Sequence, residues 1–66
     1  MNTLAKFVKE QRNAVHLTQE ELADRVGVAL TVIRKIEQGK KNLNFEKVNL
    51  VLNLFGHELG PIKTEE

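Results

Sequence analysis

Residues 18–39, TQEELADRVGVALTVIRKIEQG, decide the fold of this chain, because their apolar, small and glycine positions fit two short helices meeting at one fixed angle. The Thr18 hydroxyl can accept from the backbone N–H three residues on while Glu21 reaches back, a capping box that opens a helix. Leu17 and Leu22 sit where a hydrophobic staple closes over that start. Gly27 marks the end of the helix, since a sharp turn there needs a residue that tolerates positive φ. A second helical run follows at once: Val32, Ile33 and Ile36 match Leu22, Ala23 and Val26, so both helices face one core with almost no connector. Ala23 is small enough to let them cross closely.

The composition excludes several classes. Sixty-six residues make one domain near the lower limit for a core that holds unaided, and there is no cysteine for a disulfide or zinc site. Oligomerisation is the remaining common support. No apolar stretch approaches the roughly 20 residues that span a bilayer, and the N-terminus has no signal-peptide core, so a soluble cytoplasmic protein is expected. With no tryptophan or tyrosine and three phenylalanines, the chain is poorly equipped to stack on single-stranded bases.

The net charge of +1 hides a strong asymmetry. Residues 29–42 carry Arg34, Lys35, Lys40 and Lys41 against Glu37, a local balance of +3. Residues 18–28 stand at −2, as do residues 57–66. Positive charge is thus concentrated on the second helix of the pair and the turn after it, where a nucleic-acid duplex would lie.

The rest of the chain reads as helical with one extended exception. Asn2 or Thr3 can cap a first helix whose Leu4, Phe7, Val8, Gln11, Ala14 and Val15 share one side at about 100° per residue, ending near His16. A fourth helix starts after Asn44 as N-cap and runs from Phe45 to Phe55, with Gly56 as its left-handed terminator. His57 to Ile62 contains Gly60 and Pro61 and suits a short strand or extended arm. The expected organisation is a domain over 1–56, a dimerisation strand or arm over 57–62 and a frayed tail over 63–66.

Leu17-Thr18-Gln19-Glu20-Glu21-Leu22-Ala23, Gly27-Val28, Ile33, Ile36-Glu37 and Gly39-Lys40 together resemble the Cro/C1-type, or Xre-type, helix-turn-helix family over Phe7 to about Phe55. The resemblance implies an all-α, lambda-repressor-like bundle of about four helices with the helix from Leu30 to Gln38 in the major groove of double-stranded DNA. A closer likeness is to small antitoxin-repressors of the HipB kind, which continue into a short strand that pairs with its twin across a dimer; VLNLFGHEL, residues 51–59, carries it. Two positions depart from the family pattern. His16 stands where glycine is usual, a strain if that residue is left-handed. Ala29 stands where serine or threonine opens the recognition helix, which weakens its start by ~1 kcal/mol.

With Ile33 and Ile36 turned to the core, the helical wheel places Leu30, Thr31, Arg34 and Lys35 on the opposite arc as base-reading candidates. Arg34 or Lys35 can donate to guanine O6 and N7, while Leu30 and the Thr31 methyl can pack on thymine methyls. The resemblance supports phosphate contacts from Gln19, Lys40 and Asn42; charge alone adds Lys41. Glu37 lies at the edge of the core face, and the resemblance implies that it forms a partly buried structural ion pair with Arg12.

In the last helix Phe45, Val48, Val51, Leu52 and Phe55 share a broad arc that should close the core, which leaves Leu50 and Leu54 in water in a monomer. A symmetric homodimer is expected in which Leu50, Leu54, His57, Glu58, Leu59 and Ile62 meet their copies. It would also set two reading helices about 34 Å apart, for two half-sites.

Catalysis has little support: His16 and His57 lie at helix ends, with no cysteine and no paired-carboxylate constellation, so neither enzyme activity, a cofactor nor a metal is expected. Two functions stand. One is a homodimeric transcriptional repressor at an inverted repeat. The other is an antitoxin that neutralises a toxin partner, a HipA-like kinase by resemblance, and autoregulates its operon; the short tail leaves any toxin contact to the folded body.

Overall fold

Four helices follow one another in the computed structural model, which describes residues 3–61: α1 (Thr3–Ala14), α2 (Gln19–Val26), α3 (Leu30–Glu37) and α4 (Phe45–Leu54). The capping box is formed as the sequence requires. Glu21 N–H donates to Thr18 Oγ1 at 3.0 Å, and Thr18 N–H donates to Glu21 Oε1 at 2.8 Å. The Thr18 backbone N–H, helped by the Thr18 side chain, holds the Glu21 carboxyl below the usual carboxylate range. Asn44 caps α4 through its side chain, accepting from Lys47 N–H at 3.0 Å, whereas Ala29 leaves the start of α3 without a side-chain cap. A cap for α1 from Asn2 lies outside the described residues, and Thr3 is already helical.

All four helices stop in the same way. A left-handed residue follows each, and the next residue's N–H returns to a carbonyl five positions back: Leu17 to Arg12, Val28 to Ala23, Lys40 to Lys35 and His57 to Leu52. Three of the left-handed positions are glycine, and the fourth is His16, at φ 60°. The strain expected at His16 is therefore present, in a residue type that tolerates it better than most.

The core is Val8, Leu22, Ala23, Ile33, Ile36, Val48, Val51 and Leu52, all buried. Leu4, Phe7, Leu17, Val26, Val28 and Phe55 pack around it half-buried. The helix pair α2–α3 is the centre of this packing, with α1 laid against α3 and α4 touching both.

The structure corrects the expected core at two places. Phe45, assigned to it by the wheel, is 74% exposed. It is the first residue of α4, and its side chain leans toward the N-terminal end, beyond the helix that packs on α2 and α3. Val15 is also exposed, because α1 ends at Ala14 and Val15 lies in the turn that follows. Helix α4 ends one residue earlier than expected, with Phe55 at its cap.

No strand occurs among the described residues, so the expected C-terminal strand takes the form of an extended arm over 57–61, and Ile62 lies outside them. The arm is folded onto its own chain. Leu59 N–H donates to Asn49 Oδ1 at 2.7 Å, and the His57 ring meets Phe7 edge-on with centroids 4.7 Å apart. No helix among the described residues is long and apolar enough to cross a membrane.

Candidate nucleic-acid interface

Helix α3 presents its outer face to solvent because Ile33 and Ile36 are both drawn fully into the core. Thr31, Arg34, Lys35 and Gln38 are exposed there. Their side chains make no hydrogen bond or ion pair among the described residues. Leu30, expected beside them, is instead half-buried against the core. The wheel explains why: Leu30 lies about 90° from the mean direction of Ile33 and Ile36, at the edge of the core face, whereas Arg34 and Lys35 lie about 130° away and Thr31 and Gln38 about 170°. Gln38 was missed by sequence reasoning, though the same count of angles finds it.

At the C-terminal end of α3 the chain turns through Gly39, at φ 74°, and brings Lys35, Lys40, Lys41 and Asn42 around one cleft. A second cleft shares Lys35 and Asn42 and adds Asn44 and Lys47, so the cationic surface continues onto the first turn of α4. Three ammonium groups and a carboxamide around one notch provide only donors and positive charge apart from the amide oxygen, a chemistry suited to phosphate oxygens. Lys47 is the second residue missed by sequence reasoning, because the charge split stopped at residue 42; its place one turn into α4 supplies the signal.

Behind the exposed face, Arg12 and Glu37 join α1 to the end of α3. Arg12 Nε donates to Glu37 Oε2 at 2.7 Å and Nη2 to Oε1 at 3.0 Å, with the two side chains only 12% and 4% exposed. A third Arg12 donor, Nη1, reaches the Leu17 carbonyl at 2.8 Å and fixes the turn between α1 and α2. The hydrogen bond to Glu37 raises the Arg12 pKa, and the charge of Glu37 adds to this against the opposing effect of burial. Gln19, expected on a phosphate, has its Nε2 donating to Glu37 Oε1 at 3.1 Å.

On the outer face of α4, Leu50 and Leu54 are 48% and 44% exposed. Phe45 lines a groove with Asn49, Leu59, Gly60 and Pro61. Among the other expected interface residues, His57 and Glu58 are exposed, and Leu59 is half-buried against its own core. The His57 Nδ1–H donates to the Phe55 carbonyl at 2.7 Å, since a carbonyl can only accept.

A short helix held across another by a buried core, with its outer face free and cations at its end, defines a helix-turn-helix DNA-binding module. A family model described as helix-turn-helix matches residues 8–60, most of the chain, and the protein belongs to that family, the Cro/C1 or Xre type of DNA-binding transcription regulator. Its partner is double-stranded DNA.

Proposed function

We propose that this protein is a homodimeric repressor that recognises an inverted-repeat operator. The observation that carries the reading is the unpartnered outer face of α3 running without interruption into the lysine-lined clefts. In this reading Thr31, Arg34 and Lys35 face base edges, and Gln38 lies where α3 leaves the groove. Lys40, Lys41, Asn42 and Lys47 hold phosphates on the flanking backbone, and Gln19 does the same from the start of α2. Leu30 supports this face from beneath, being half-buried.

A single helix of eight residues reaches only a few base pairs. A second copy supplies the other half-site, and the apolar side chains that one protomer leaves in water on the outer face of α4, Leu50 and Leu54, are the surface assigned to it.

Selection of duplexes from a random pool tests the DNA half of the proposal, with a two-fold symmetric consensus and a steep negative salt slope as the expected result. A consensus without symmetry would overturn the inverted-repeat reading. Light scattering at micromolar concentration tests the other half: the wild type is expected at twice the monomer mass, and Leu50→Glu with Leu54→Glu at the monomer mass with its helical circular dichroism retained. A monomeric wild type would overturn the homodimer.

A further inference from the structure

We propose that Glu37, braced by Arg12, is a positioning residue for DNA recognition: it holds the Gln19 carboxamide so that its remaining N–H grips a backbone phosphate. The inference rests on the DNA-binding reading above and adds a task to a pair otherwise read as structural.

Glu37 Oε1 accepts from both Arg12 Nη2, at 3.0 Å, and Gln19 Nε2, at 3.1 Å. A carboxylate can only accept, so of the two ends of the Gln19 amide the NH2 must face Glu37. This removes the rotation that would exchange the amide's oxygen and nitrogen, and with it the arrangement in which Gln19 would present its oxygen to an anion. One N–H is spent on Glu37. The second diverges from it and has no partner among the described residues, on a side chain that is half-buried at the first position of α2.

Charge explains why the holder is a paired acid. A bare carboxylate this close to a phosphate would repel it, but Glu37 faces the Arg12 guanidinium on both of its oxygens. The pair presents little net charge outward, and the neutral amide stands between it and the DNA. A lysine at position 19 would bring more charge but would be drawn into the pair. Glutamine transmits the orientation of a buried, rigid ion pair to a donor at the surface. An amide also loses less rotamer freedom on DNA binding when it is already held.

The test uses the full chain and a duplex selected from a random pool by the wild type. Gln19→Met keeps the length of the side chain and removes both its donors. It is expected to lower affinity about tenfold, as a hydrogen bond to a charged group would, and by the same factor at every salt concentration, because a neutral donor releases no counterion. In an Arg12→Met, Glu37→Met background, which removes the acceptor without stranding a charge, the same change is expected to cost less than about threefold, a coupling that independent roles would not produce. Independently of that variant's folding, the Gln19 Nε2 protons of the free wild type are expected to exchange with solvent more slowly than those of exposed Gln38. Unchanged affinity in Gln19→Met, additive effects in the cycle, or equal exchange at Gln19 and Gln38 would each overturn the assignment. A wild type that binds no duplex would instead overturn the DNA reading itself.

Discussion

Arg12 and Glu37 stand 25 residues apart in sequence and meet as a two-pronged bridge, with Nε to Oε2 at 2.7 Å and Nη2 to Oε1 at 3.0 Å. Removal of either partner leaves the other charge almost fully enclosed. Arg12→Ala and Glu37→Ala are each expected to lower stability by about 3–5 kcal/mol, a large share of the ~5–15 kcal/mol typical of a domain. Urea denaturation at fixed protein concentration checks this. The double variant Arg12→Met, Glu37→Met should lose less than either alanine variant, since it strands no charge. A single variant with the wild-type midpoint would remove the pair from the account of stability.

The four matched helix ends give a paired test at His16 and Gly27. His16→Gly relieves a left-handed backbone and is expected to raise stability by about 0.5–1 kcal/mol, less the extra freedom glycine gives the unfolded chain. Gly27→Ala should do the opposite, by about 1 kcal/mol. An added Cβ at Gly27 meets nothing within 4 Å, so the loss there is one of backbone conformation alone, at φ 84°. Thermal melts of the two variants should move in opposite directions.

The capping box makes stability depend on acid. The folded-state pKa of Glu21 lies below its ordinary value, chiefly through the Thr18 backbone hydrogen bond. Its contribution is therefore complete above the ordinary carboxylate range and is lost as pH falls through the folded pKa. Glu21→Gln keeps an acceptor at the same position and should show a shallower fall of stability in acid than the wild type. Thr18→Ala removes the other half of the box and should lose about 1 kcal/mol at neutral pH. Denaturation midpoints measured from neutral pH downward decide both.

Base readers and phosphate binders separate by salt and by sequence. Arg34→Ala is expected to cost about 1–3 kcal/mol on the selected duplex and to relax preference at the base it contacts. Lys41→Ala should weaken every duplex alike and reduce the salt slope by about 1. Equal weakening of all duplexes by Arg34→Ala would reassign Arg34 to the phosphate backbone.

The parts of the fold that depend on neighbours in sequence are legible in the sequence itself. Thr18 with Glu21, Asn44 with Lys47, and the stops at Gly27 and Gly56 are local chemistry, and each forms as the residue types dictate. Positions at the first turn of a helix were harder. The wheel angle of Phe45 places it in the core, yet it lies exposed, because at a helix start the side chain leans beyond the first turn and the wheel has no term for this; Leu30 stands at the edge of the core face, where the angle alone decides neither way. The engagement of Gln19 with Glu37 was illegible for another reason: it depends on how closely α2 approaches the end of α3, which no spacing in the sequence records. The family match covers residues 8–60 and so identifies the module, while the paths of individual side chains come from the structure.

The side chains of Thr31, Arg34, Lys35 and Gln38 make no hydrogen bond or ion pair among the described residues, and the core beneath them does not depend on what they are. Surface positions of this kind usually change stability by less than about 0.5 kcal/mol when replaced. Duplicated copies of such a gene could therefore acquire separate targets through a few substitutions at these positions, with no compensating change in the scaffold. Cross-talk between sister regulators would then be set by four interchangeable side chains, and divergence of their regulons would begin there.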